Sequence, residues 1–302
     1  MREVTEKAYG KINLTLNVAG TRPDGFHELE TIMQTVDLAD TVVLTADGGA
    51  VNEPSETGGE ITVLSNDPSL PGGTDNLAGK AALLFKEHFG IREGVTIQIE
   101  KRIPVAAGMG GGSADAAAVL RGMNRLFDVG ASGEDLCGLA AGLGSDIPFL
   151  VEGGTAICRG RGEEMEKIAS MPDCQIAICA FDFGISTPWS YRRFDELSRE
   201  KAEFEPADNE AIKASFAAGS LADLPKQLVN HLEKAALMEH PVIEEVKKFL
   251  IERGALGSMM TGSGPTVFAI FEAGAEVDLS GLPAGVRTYL TRPLNEKDGG
   301  RQ

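Results

Sequence analysis

Residues 104–117 read PVAAGMGGGSADAA, and four of the five positions from Gly108 to Gly112 are glycine. A strand-like stretch precedes this run, and an alanine-rich helical pattern follows it directly. A glycine loop that enters a helix N-terminus presents bare backbone N–H groups and the positive end of the helix dipole, an arrangement that binds phosphate. Glycine is required there because a Cβ holds the backbone away from phosphate oxygens, and because some positions need positive φ. Taken alone, a glycine cluster is as compatible with a plain turn. The helix that the pattern starts at Ser113 favours the phosphate site. Two familiar phosphate loops are excluded. The pattern G-x-x-x-x-G-K-[ST] fails because no Lys follows the glycines. The pattern G-x-G-x-x-G fails because Ser113 stands where the third Gly counted from Gly108 should be. A loop of a third type is expected, with its cation drawn from elsewhere in the chain.

The 302 residues suffice for two ordinary domains or one large one, and 42% hydrophobic with 24% charged residues is a globular composition. No apolar run reaches the roughly 18 residues of a membrane helix. The first seven residues, MREVTEK, lack the apolar core of a secretion signal, so a cytoplasmic location is expected. Cys137, Cys158, Cys174 and Cys179 show no metal-ligand spacing and lie in apolar settings, which predicts buried free thiols. The net charge of −17 argues against nucleic acid as a partner. An anionic ligand then needs a locally positive pocket of helix N-termini, a few Lys or Arg, and Mg²⁺.

Period-two alternation predicts a first strand over 12–18, with Lys11, Asn13, Thr15 and Asn17 on one face. A turn is expected at 23–25, and further strands at 30–36, 41–46, 60–65 and 95–101. Helices are expected over 76–89, capped by Asp75 and stopped by Gly90, over 113–127, and from a Ser132/Asp135 capping box to about 143. Past 155 the pattern gives strands at 155–159, 175–181, 266–271 and 287–291, and helices at 190–200, 210–217 and 241–252. The acidic stretch 203–208 reads as a loop. Strands and helices mix without strict alternation, which favours an α+β fold. The expected division is 1–155, 156–294 and a polar tail 295–302.

Four further pieces each have a plain structural explanation: Lys11 as a solvated strand lysine, Gly144-Ser145-Asp146-Ile147-Pro148 as a helix start, Thr261-Gly262-Ser263-Gly264-Pro265 as a turn, and 23–27 as a loop. Together with the glycine loop they resemble the GHMP kinase superfamily. Its three motifs occur in order: Lys11-Ile12-Asn13-Leu14, the loop from Pro104 to Asp115, and Thr261 to Pro265. The segments Ala8 to Leu14, Arg22-Pro23-Asp24-Gly25-Phe26-His27-Glu28-Leu29, Asp75-Asn76-Leu77, Leu143 to Phe149 and Ser186-Thr187-Pro188 are similar to the branch that acts on a cytidine-diphosphate-linked methylerythritol. The resemblance covers 8 to about 272.

The resemblance implies ATP-dependent phosphorylation of the 2-hydroxyl of that polyol, in the non-mevalonate route to isoprenoid precursors. It implies two domains, the first with a left-handed β-α-β unit and the second ferredoxin-like. It implies Asp146 as catalytic base and Lys11 as the ammonium beside it. Pro104, Val105, Ala106, Ala107, Gly108, Met109, Gly110, Gly111, Gly112, Ser113 and Ala114 would wrap the ATP phosphates, with Asn76 and Lys101 near the adenine and Ser263 on the far side. Asn13, Phe26, His27 and Tyr191 would serve the substrate: Phe26 and Tyr191 sandwiching the cytosine, His27 reading its polar edge. Ala114 departs from the two serines of many relatives, so no protein ligand for Mg²⁺ is assigned, and the ion is expected to arrive on ATP. The competing readings are another small-molecule GHMP kinase, of homoserine or mevalonate type, and a nucleotide-binding protein without turnover. The failed glycine register disfavours a dinucleotide-dependent dehydrogenase.

Overall fold

The computed structural model describes residues 2–46 and 59–295. The strands are β1 (Arg2–Asn13), β2 (Thr15–Thr21), β3 (His27–Ala46), β4 (Ile61–Ser65), β5 (Val95–Glu100), β6 (Thr155–Gly160), β7 (Glu164–Lys167), β8 (Gln175–Phe181), β9 (Val229–Asn230), β10 (Gly257–Met260), β11 (Val267–Phe271) and β12 (Val286–Thr291). The helices are α1 (Leu77–Phe89), α2 (Gly111–Leu126), α3 (Gly133–Ala141), α4 (Asp146–Glu152), α5 (Thr187–Arg199), α6 (Asn209–Ala217), α7 (Leu224–Gln227), α8 (Glu233–Glu239) and α9 (Val242–Glu252). The chain forms two compact units from interleaved stretches. The first takes Met1–Gly10, Leu38–Ile103 and Gly110–Glu152, the second Lys11–Asp37, Pro104–Met109 and Gly153–Gln302.

In the first unit the end of β3 pairs antiparallel with β5, Thr41 opposite Glu100 through Ala46 opposite Val95, and β4 lies parallel on β5. Val42, Leu44, Val95, Ile97 and Ile99 alternate inward, as a half-buried sheet requires. Helix α2 packs on α1 and α4. Its residues from Ala114 to Leu120 are all buried, the pattern of a helix enclosed by its domain. Small side chains permit this approach: a Cβ on Gly122 would stand 2.1 Å from Leu44 Cδ1. Arg121 ties α2 to its surroundings by donating to Leu150 O in α4 (2.7 Å) and Lys7 O (2.8 Å).

In the second unit β10, β11, β8 and β12 form an antiparallel sheet in that order. Ala177, Cys179, Phe181, Val267, Ala269 and Phe271 form a core with Phe194, Ala236, Ile243, Val246 and Leu250 from α5, α8 and α9. The start of β3 pairs with β2 and β6, β6 pairs with β7, and β9 lies parallel on β2 with Leu16 opposite Asn230.

Several expectations need correction. The first strand is two strands. At Leu14 the ladder is interrupted by side chains: Ile32 N–H donates to Thr15 Oγ1 (2.8 Å) and Thr31 Oγ1 donates to Thr15 O. Conversely, 30–36 and 41–46 are one strand, β3. The intervening DLAD looks turn-like, but Asp37 N–H donates to Arg292 O (3.0 Å) and Asp40 is buried against residues 101–103. The cap of α1 is Asn76, not Asp75: its side chain accepts from Ala78 N–H. Helix α2 begins at Gly111, two residues before the expected Ser113. The capping box of α3 and the left-handed Gly90 after α1 are as expected. Cys158, Cys174 and Cys179 are buried and Cys137 is half-buried. Burial pushes the Cys179 thiol up to about 12, so it is inert near neutrality. Among the described residues no helix is long and apolar enough to cross a membrane. From residue 296 the expected tail lies outside the described residues.

Candidate active site

Lys11 is only 4% exposed, unlike a solvated strand lysine. Its Nζ donates to Asn13 Oδ1 (2.6 Å) and Gly108 O (3.0 Å), and its backbone N–H donates to Met109 O (3.0 Å). The ammonium is therefore held against the backbone of the glycine loop. Asn13 is fixed in turn: Nδ2 donates to Thr31 Oγ1 (2.9 Å), and its backbone N–H donates to Thr261 Oγ1 (2.9 Å). Two glycines make this convergence possible. Gly108 has φ +79°, and a Cβ there would stand 2.2 Å from Thr261 O. Gly262 has φ +58°, and a Cβ there would stand 2.8 Å from Gly108 O. Ala106 takes φ +53° without being glycine, which costs about 1–2 kcal/mol.

The loop at 261–265, whose Gly264–Pro265 bond is cis, is anchored from β9 and α8. Asn230 Nδ2 donates to Met260 O and Gly262 O (2.8 Å each), and Glu233 Oε1 accepts from Met260 N–H (2.7 Å). Ser263 Oγ shares a hydrogen bond with Thr187 Oγ1 (2.9 Å).

Gly110, with φ +70°, is the N-cap of α2 and contributes no capping side chain. The first N–H groups of the helix are thus left to a ligand or solvent. A Cβ on Gly112 would meet nothing within 4 Å, so this position faces open space. Ala114 is buried and has no hydroxyl to offer a metal. Pro104, Ala107 and Met109 are buried, whereas Val105 and Ala106 are exposed. Asn76, expected near the adenine, spends its side chain on the cap of α1 and on Pro71 O (3.0 Å). Lys101, the other expected neighbour of adenine, bridges Asp40 Oδ2 (2.5 Å) and Asp115 Oδ2 (2.7 Å). Burial alone would lower Lys101, but the two carboxylates outweigh it and raise its pKa. Burial, with Asp40 beside it, pushes Asp115 up to about 7 against the downward pull of Lys101. One ammonium facing two carboxylates leaves one surplus negative charge out of water. Asp146 is the first residue of α4 and half-buried.

His27 and Tyr191 come together: the rings stack with centroids 4.7 Å apart and 26° between planes. Asp195 Oδ1 lies 2.8 Å from His27 Nε2. Phe26 is 53% exposed, and its ring carries the Arg161 guanidinium 5.0 Å from the centroid. Tyr191 thus has His27 as its stacking partner here, and Phe26 has Arg161. Sequence reasoning missed Asp195, Arg161 and Asn230. Asp195 had a signal, since it follows Tyr191 by four residues on α5 and shares its face. Asn230 had none, because a two-residue strand has no period to read.

A buried lysine held against a left-handed glycine loop is in keeping with a small-molecule kinase of the GHMP class. The models of that class match in both parts: GHMP kinases N terminal domain over 76–154 and GHMP kinases C terminal over 211–284. The chain is 43% identical to a 4-diphosphocytidyl-2-C-methyl-D-erythritol kinase of Caldicellulosiruptor saccharolyticus, covering 88% of this chain and 87% of the relative. It is 42% identical to one of Pelotomaculum thermopropionicum, covering 97% and 99%. The crystal structure of a 4-(cytidine 5'-diphospho)-2C-methyl-D-erythritol kinase superposes with TM-score 0.76 at 31% identity, over 97% of this chain and 100% of the other. A homoserine kinase from Cytophaga hutchinsonii shares the fold, with TM-score 0.71 at 20% identity over 99% and 96% of the chains. The chain belongs to the 4-diphosphocytidyl-2-C-methyl-D-erythritol kinase family.

Proposed function

We propose that the protein transfers the γ-phosphoryl group of ATP to the 2-hydroxyl of 4-diphosphocytidyl-2-C-methyl-D-erythritol, a step toward isoprenoid precursors. The observation that carries this reading is the Lys11 ammonium, buried and held 3.0 Å from Gly108 O on the glycine loop. A protein that only binds nucleotide has no need of a desolvated cation at that place. In the reaction the hydroxyl oxygen bonds to the γ-phosphorus, the bond from phosphorus to the β-bridging oxygen breaks, and ADP leaves. The hydroxyl proton passes to the Asp146 carboxylate. Lys11 favours the charge that develops on the attacking oxygen. The N–H groups from Gly108 to Ser113 receive phosphate oxygens, and positioning of this kind carries most of phosphoryl transfer. His27 and Tyr191 take the cytosine, with Phe26 and Asn13 as further substrate contacts, and Asp195 holds the His27 ring.

Among the described residues no group of three His, Cys, Asp or Glu side chains could hold a metal ion. We assign Mg²⁺ to the phosphate oxygens of ATP and water, where it would offset charge on the triphosphate. A coupled ADP-release assay tests the reading, with the cytidine substrate set against homoserine and mevalonate. Turnover is expected with the first alone. Asp146→Asn should keep nucleotide binding and lower kcat by about 10²- to 10⁴-fold. Preferred turnover of homoserine or mevalonate, or near-normal kcat in Asp146→Asn, would overturn it.

A further inference from the structure

Asp40 sits on β3 in the first unit, wholly buried, and both its oxygens are used. Oδ1 accepts the backbone N–H of Arg102 (2.5 Å) and of Ile103 (2.8 Å), and Oδ2 accepts from Lys101 Nζ (2.5 Å). These three residues end immediately before the glycine loop. Lys101 Nζ also reaches Asp115 Oδ2 (2.7 Å), in the opening turns of α2, immediately after the loop. The entry and the exit of the loop are thus joined by the Lys101–Asp115 pair, and Asp40 on a sheet strand anchors the entry side of that pair. The spacing is tight, since a Cβ on Gly111 would come within 3.2 Å of Ile103 Cγ2 and 3.4 Å of Lys101 Nζ.

Stability alone is a poor reason for such a cluster. Taking each charge out of water costs several kcal/mol, and a hydrophobic trio of similar volume often does as well. The cluster is also not fully satisfied, because Asp115 Oδ1 is buried with no hydrogen-bond partner. What a charged clasp supplies beyond apolar packing is fixed direction and separation.

We propose that Asp40 is a positioning residue for the nucleotide phosphates: through Lys101 and the amides of Arg102 and Ile103 it fixes the separation of the two ends of the glycine loop, and so the aim of the N–H groups from Gly110 to Gly112. This rests on the reading that the loop holds ATP. Asp40 itself touches no substrate. It acts on KM for ATP, because the loop must otherwise be ordered at the expense of binding energy.

Asp40→Asn keeps the volume and one oxygen for the two amides, but turns an NH₂ toward the Lys101 ammonium. The expected result is a rise of about tenfold in KM for ATP and in the Kd of an ATP analogue by calorimetry. KM for the cytidine substrate should stay constant and kcat should stay within about twofold. A purely structural residue would instead lower the folded fraction, and hence Vmax, at constant KM. Asp115→Ser releases only the far anchor and leaves every bond of Asp40 in place. It should raise KM for ATP by about three- to fivefold, and it carries the test if Asp40→Asn does not fold. Unchanged ATP affinity in a folded variant overturns the proposal. No binding of the analogue by the unsubstituted protein overturns the functional reading and this proposal with it, so the two failures are distinguishable.

Discussion

At the scale of single residues, burial is what the amino-acid pattern hides. Alternation predicts Lys11, Asn13, Thr15 and Asn17 on one face of one strand, but the strand breaks at Leu14 and all four are buried. Period two names a face without saying what covers it. Here the cover includes the glycine loop and the loop at 261–265, from segments roughly one hundred and two hundred and fifty residues away, as the Lys11 and Asn13 bonds show. Asp115 gives a second residue-scale consequence. Its carboxyl stands near 7 in the folded protein against 3.8 when free, chiefly through burial. Between those values the folded state binds more protons than the unfolded one, so this group's penalty is relieved as pH falls from about 7 toward 4. Asp115→Asn removes the titration while an amide oxygen still accepts from Lys101. The stability advantage of the variant over the parent should therefore be largest at pH 8 and shrink by pH 5, measured by urea unfolding at each pH. Parallel curves would show that the carboxyl titrates normally and that the surplus charge lies elsewhere.

At the scale of elements, two glycines in one motif are expected to behave oppositely. Gly108 is left-handed and would place a Cβ 2.2 Å from Thr261 O, so Gly108→Ala should lower Tm through strain and displacement of a backbone carbonyl. Gly112 lies in the first turn of α2 with nothing within 4 Å of a Cβ, so Gly112→Val should fold with Tm nearly unchanged. If phosphate approaches this turn, the same variant should bind an ATP analogue about tenfold or more weakly. Paired melting and calorimetry check both halves, and a Gly112→Val protein with unaltered affinity would move the phosphates away from α2. The motif and its helix were legible because glycine, alanine and helix-start chemistry are local. The long β3 was not, because DLAD is turn-like in composition and becomes strand only through remote partners at Arg292 and at 101–103. Strands β9 and β10 and helix α8 went unread for a related reason: they are two, four and seven residues long, too short for a period to emerge.

At the scale of the whole molecule, the chain order of the two units matters more than their size. Every stretch of the first unit ends by Glu152, whereas the second combines Lys11–Asp37 and Pro104–Met109 with the chain from Gly153 onward. A cut after residue 155 should therefore leave a C-terminal fragment without β2 and its share of β3. That fragment should show no cooperative melt by circular dichroism alone and should gain one when the N-terminal fragment is co-expressed. A cooperative transition in the isolated fragment would show that β2 and β3 are dispensable to its core. Residue composition alone gave no warning of this interleaving, since nothing in a local window tells which later segment a strand will join.

The same ordering has a meaning on the ribosome. Thr261, which binds Asn13, is made nearly two hundred and fifty residues after it. At roughly 5–20 residues per second, that interval is on the order of 12–50 seconds. For that time the segment at 11–37 waits, its buried-to-be polar face unmatched, while the unit completed by residue 152 can already close around its own core. The nascent chain would have helix α2 before Lys11 and Asn13 are seated, so the contacts of Asn13 wait for the loop at 261–265.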